Sequence, residues 1–159
     1  MGFGINDNAN MPPDPEIVLR AWLLSKTSIT DEVSTRISTR LPSSPTLPFI
    51  VITNNGNSLL DPASQSAVNI ADMTMIVYAG RWGSDGTKSE PDFTTASNIA
   101  QIIFKEAFTE GQIEVTTGSG VKALIYDFEV QVAPTRVEQR DIQVAQFQIS
   151  VAMTYRYTE

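Results

Sequence analysis

The chain has 159 residues, 42% of them hydrophobic, a size and composition that predict one domain with its own core. It has no Cys and no His, which excludes disulfides, thiolate chemistry, Cys-based zinc sites and Ser-His-Asp catalysis, and removes the usual general base at neutral pH. A net charge of -7 and a pI near 4.5 oppose nucleic-acid binding, and no apolar run approaches the ~20 residues of a membrane-spanning helix.

Residues 1–13 are rich in Gly, Asn and Asp and lack the basic and apolar segments of a signal peptide. They predict a flexible N-terminal arm on a cytoplasmic protein, ahead of a single α+β domain over 14–159. The domain opens on a helix signal: Asp14 can cap, Pro15 suits the first helical position, and Glu16 complements the positive end of the dipole. Ile17, Val18, Ala21, Trp22 and Leu24 then recur at helical spacing, predicting a helix over 17–25. A second helical turn is expected from Thr30, with Asp31 and Glu32 at its start. Residues 35–41 suit a first strand, Pro42, Pro45 and Pro48 impose extended or turn backbone, and residues 49–53 form a β-branched strand. Asn54-Asn55-Gly56-Asn57 is turn chemistry, so residues 54–66 read as a mobile loop.

Residues 69–82 predict a central strand covered on both faces, because Ile70, Met73, Met75, Ile76, Val77 and Tyr78 do not alternate cleanly. A second loop is expected over 83–91. Asp92 or Thr94 then caps a helix whose Ala96, Ile99, Ala100, Ile103 and Ala107 make one stripe ending near Gly111. Residues 112–116 and those from Val121 onward flank a Gly118-Ser119-Gly120 turn and read as a hairpin.

The last third alternates apolar and polar residues over 121–133 and 142–157. Leu124, Tyr126, Phe128, Val130 and Val132 are expected on one face, with Asp127, Glu129 and Gln131 on the other. In the second strand Ala145, Phe147, Ile149, Val151, Met153, Tyr155 and Tyr157 oppose Gln146, Gln148, Ser150, Thr154 and Arg156. Strands this long exceed what a small core needs, so their polar faces must meet water or another protein. The expected class is α+β: a mainly antiparallel sheet packed against helices on one face.

Few residues suggest chemistry. Asp127 and Glu129, joined by Asp72 or Asp141, have the spacing of a carboxylate site for magnesium, the basis of a competing reading as a metal-dependent nuclease or hydrolase. Alternation alone also puts carboxylates on a solvated or interface-facing strand surface, and that reading is preferred. Gly118-Ser119-Gly120 lacks the Lys-Ser/Thr of a phosphate loop. Met73 and Met75 suit core filling better than an adaptable contact surface. Arg136 and Arg140 flank Val137 and Glu138 in the last connection, as contact residues or as a solvated loop. Tyr78 and Trp82 would line the site of a carbohydrate- or peptide-binding module.

An opening helix at 14–25 is followed by Val33-Ser34-Thr35-Arg36-Ile37-Ser38-Thr39-Arg40-Leu41-Pro42 and Leu47-Pro48-Phe49-Ile50-Val51-Ile52, then a long strand, one late helix and two terminal strands ending in aromatic residues. This order, over about 14–157, resembles the tail-terminator (tail-completion) proteins of long-tailed bacteriophages. The resemblance implies a virion structural protein, assembled in the host cytoplasm and located at the head-proximal end of the tail. It would cap the tail tube as a homohexameric ring, end polymerisation and form the head-attachment surface. Implied partners are further copies of the chain, the tail tube protein and the head-tail connector protein, with DNA passing the lumen unbound. The resemblance carries no catalytic motif and no cofactor. Neck, head-completion and tube proteins look similar, so another head-tail connector is the alternative. Asp127, Glu129, Arg136 and Arg140 are the candidate inter-subunit or tube contacts. The acidic balance suits a pore that must not hold passing phosphates, and a closed ring needs two different surfaces on each subunit.

Overall fold

The computed structural model describes residues 14–43, 45–59, 68–82, 89–137 and 144–158. Among these residues three helices are formed, α1 (Pro15–Leu24), α2 (Thr27–Val33) and α3 (Phe93–Thr109), with strands β1 (Ile37–Ser38), β2 (Phe49–Leu59), β3 (Asn69–Trp82), β4 (Ser89–Pro91), β5 (Ile113–Thr116), β6 (Lys122–Arg136) and β7 (Ala145–Thr158). Together they make a single α+β domain whose mixed sheet is curled.

The helix signals act as their chemistry dictates. Asp14 accepts a hydrogen bond from the Glu16 N–H at 2.8 Å, and Pro15 occupies the first turn, where its missing N–H has no intrahelical acceptor to lose. Of the two caps open for α3, Asp92 is the one used: it accepts from the Thr95 N–H at 3.1 Å. The stripe Ala96, Ile99, Ala100, Ile103 and Ala107 is wholly buried. In contrast, α2 begins at Thr27, three residues before the expected Thr30, and has no side-chain cap.

The strands follow the order β1-β2-β3-β7-β6-β5, while β4 pairs with the end of β3. Among the described strands only β1 runs parallel to its neighbour, β2; the other pairs are antiparallel. All three helices lie on one face of the sheet. Helix α3 packs on β3, β6 and β7, whereas α1 touches both β2 and β5, near opposite ends of the strand order. Helix α1 therefore fills the gap the curl leaves open. Its Trp22 lies 4.5 Å, centroid to centroid, from Phe128 of β6 in a tilted ring contact. Each fully buried large side chain of this core stabilises by about 1.5–3 kcal/mol relative to exposure.

Several expectations need correction. The predicted turn at 54–57 lies inside β2: the strand continues to Leu59, and the Asn54–Gly56 segment is a bulge in the register with β3. The Asn54 side chain accepts the Gly56 N–H at 3.1 Å, so a local turn-like bond is absorbed by a bulge without ending the strand. Second, β3 is central, but the described helices cover only one of its faces. Ala71, Met73, Met75, Val77 and Ala79 are buried against the helices, whereas Asp72 is exposed and Ile70, Thr74, Ile76 and Tyr78 are half-buried on the other face. Third, the phase of β6 is inverted in its first half. Ala123 and Ile125 face the core where Leu124 and Tyr126 were expected, because a register shift between Ile125 and Asp127 places Phe128 back on the core side. A second shift between Val130 and Val132 turns Val132 outward, leaving it 39% exposed. The strand expected over 35–41 shrinks to Ile37 and Ser38, and part of the expected 83–91 loop is β4.

Candidate functional site

The face of the sheet opposite the helices is uncovered by any described element. The register assembles it row by row: Val51, Ile76 and Gln148; then Thr53, Thr74 and Ser150; then Gly56, Asp72, Ala152 and Glu129. A polar ladder crosses three strands here, with Asn55 Nδ2 donating to Thr74 Oγ1 at 2.5 Å and Thr74 Oγ1 at 3.0 Å from Ser150 Oγ. Gln131 Nε2 donates to Asp72 Oδ1 at 3.2 Å, tying β6 to β3 over the small Ala152 of β7. Phe49, Val51 and Ala152 on this face are each only 7% exposed. The face therefore mixes apolar, neutral polar and acidic groups.

The expected site residues divide between this face and its end. Asp127 and Glu129 are exposed on it, Asp127 opposite Thr154 and Glu129 opposite Ala152, as the alternation requires. Among the described residues no three acidic side chains come together as a metal site, so Asp72, Asp127 and Glu129 share a surface without converging. Arg136 lies elsewhere: opposite Phe147 at the end of β6, its guanidinium is 3.7 Å from the Phe93 ring centroid at the start of α3. Arg140, Asp141, the 1–13 arm, most of the 83–91 loop and the Trp82 side chain lie outside the described residues. Tyr78 is half-buried on the open face, and burial raises its pKa.

Two polar junctions were missed by sequence reasoning. At one, Tyr155 is fully buried and its phenol pKa is pushed up to about 12, chiefly by burial. A hydrogen bond with the Asn57 side chain works against that rise, and the nearby Asp14 charge adds to it. Next to it Glu16 Oε1 accepts the Asn54 N–H at 3.2 Å, fastening the start of α1 to β2. At the other junction, Lys26 Nζ meets Glu110 Oε2 at 2.5 Å and Glu106 Oε2 at 3.9 Å, joining the α1–α2 turn to the end of α3. The only sequence signal for the first was a Tyr in an alternating strand, and Asn57 was disguised by its turn-like neighbours.

No protein-family model and no curated protein matches the sequence. Among solved structures, the fold is similar to a chain of the virion of a native gene transfer agent (GTA) particle, with a TM-score of 0.53 and 10% identity. The likeness covers 88% of this chain and 91% of that one, so it is a likeness of whole folds.

Proposed function

We propose that this chain is a virion structural protein of a long-tailed phage-like particle, acting as its tail terminator without catalytic turnover or cofactor. Copies of it close into a ring, a hexamer by the resemblance, that caps the tail tube, ends polymerisation and gives the filled head its acceptor surface. The observation that carries the reading is the whole-chain fold likeness to a component of a gene transfer agent virion. The open sheet face supports it, because a ring subunit needs surfaces beyond its own core for its neighbours and for the tube. The exposed carboxylates Asp72, Asp127 and Glu129 suit a particle through which DNA passes, since they repel phosphates that a basic surface would hold.

The test is genetic and biochemical. Particles made without the protein should carry tubes of abnormal length that fail to join filled heads, and added purified protein should restore joining. Restoration should saturate once each tube end is occupied, and it should survive a metal chelator. Tubes of normal length that still fail to join heads would move the assignment to a neck or head-completion protein. Normal tails joined to heads without the protein would end the terminator reading, and chelator-sensitive activity would favour the metal-dependent hydrolase.

A further inference from the structure

The two ends of the sheet are finished differently. At one end β1 pairs alongside Ile50 and Val51 of β2, and Glu16 occupies the next backbone donor, Asn54 N–H. At the other end β5 pairs with β6 alone among the described strands, so its far edge offers backbone groups for another strand. Beside it, between β5 and α1, runs an open groove of about 600 Å³ lined by Ile17, Ala21, Leu24, Val115 and the Gly118-Ser119 turn. Arg20 and Glu114 stand on its walls. Ile17, which lines it, is 47% exposed.

We propose that this groove and the β5 edge receive residues 1–13 of a second copy of the chain, so that each subunit donates an arm to one neighbour and accepts one from the other. The contact deepens the ring reading and rests on it. Two observations favour this occupant. The arm contains Gly2-Phe3-Gly4-Ile5, and in a strand added to β5 a spacing of two points Phe3 and Ile5 to the same side, while the glycines permit close backbone approach. The arm joins the fold at Asp14, at the end of the helix that forms one wall of the groove, and its 13 residues span at most about 45 Å extended.

The absence of native Cys makes the test clean. Copies carrying only Asn6→Cys and copies carrying only Ser119→Cys, differently tagged, are mixed with tail tubes and gently oxidised, with ring formation followed by electron microscopy. A disulfide between the two kinds of copy, at least ten-fold more abundant in rings than in free subunits, is the expected result. Rings without that disulfide would overturn the arm contact and leave the ring reading intact. A double variant that closes the bond within one chain would overturn the exchange between copies. Absence of rings under any condition would remove the ring reading and this contact together. Independently, deletion of residues 1–13 and Ile17→Glu should each lower ring yield at least ten-fold with unchanged thermal melts, and combining them should add little. Normal ring yield from the deletion would overturn the proposal.

Discussion

The two faces of β3 and β7 share one backbone and differ in what they meet. On the helix side, Ala71, Met73, Met75 and Val77 stand opposite Met153, Val151, Ile149 and Phe147; on the other side, Asp72, Thr74, Ile76 and Tyr78 stand opposite Ala152, Ser150, Gln148 and Gln146. The first set is apolar without exception. The second mixes carboxylate, hydroxyl, amide and apolar groups, and its small hydroxyl ladder holds neighbouring strands together without presenting a uniformly greasy surface. Most of the fully buried apolar area thus lies on one face, while the other combines buried apolar residues with exposed polar ones.

The sharpest way to break this contrast uses adjacent residues of β7. Ile149→Asp places an unpaired charge in the core and should cost more than about 4 kcal/mol, leaving no soluble folded protein. Gln148→Asp, one residue away on the open face, should alter the melt by no more than about 0.5 kcal/mol. A reversed ranking in thermal unfolding would mean that the register of β7 is wrong.

The next largest effect tests the bulge in β6. Ile125→Ala should destabilise by about 2–5 kcal/mol because it empties a fully buried site, whereas Leu124→Ala, half-buried on the open face, should cost clearly less. Equal losses in denaturant titrations would remove the phase inversion between Ile125 and Asp127.

Tyr155 marks the core side's edge and gives a pH-dependent step. Its phenol is raised from 10.0 to about 12 in the folded chain, so the folded state holds the proton more tightly than the unfolded one. Its contribution is therefore complete below pH 10 and is lost as the pH rises toward 12. Within that window the slope is at most about 1.4 kcal/mol per pH unit. Tyr155→Phe should lower stability at neutral pH by losing the Asn57 hydrogen bond, yet flatten the alkaline decline relative to the parent chain. Parallel alkaline curves for the two proteins would show that the phenol does not carry this step.

What could be read from sequence follows where each face's chemistry was pure. β7 was legible almost residue by residue because its core side is uniformly apolar and its other side polar until Ala152. β3 was not, since Ile76 and Tyr78 sit on the open face and blur the period. A bulge leaves no mark in a hydrophobic pattern beyond a changed phase, so Leu124 and Tyr126 looked as eligible for the core as Ala123 and Ile125. Exposure of Asp127 and Glu129 followed from local alternation alone. The groove between α1 and β5 did not, because it exists only once the sheet curls and brings residues near 20 and 115 together.

The smallest stability effect belongs to the pair the proposed function values most. Asp127 and Glu129 are exposed, and neither is among the ion pairs of the described residues, so the double variant Asp127→Ala, Glu129→Ala should shift the melt by no more than about 0.5 kcal/mol. If the open face meets a neighbour or the tube, the same variant should still impair capping, since two carboxylates at a protein contact set partner choice and encounter rate more than they set the fold. The impairment should also weaken the salt dependence of capping, because exposed charges are screened over about 8 Å at physiological ionic strength. Tube-length distributions measured with parent and variant across a salt series read both effects at once. Identical distributions at every salt concentration would take Asp127 and Glu129 out of the contact surface, leaving the arm and groove to carry assembly.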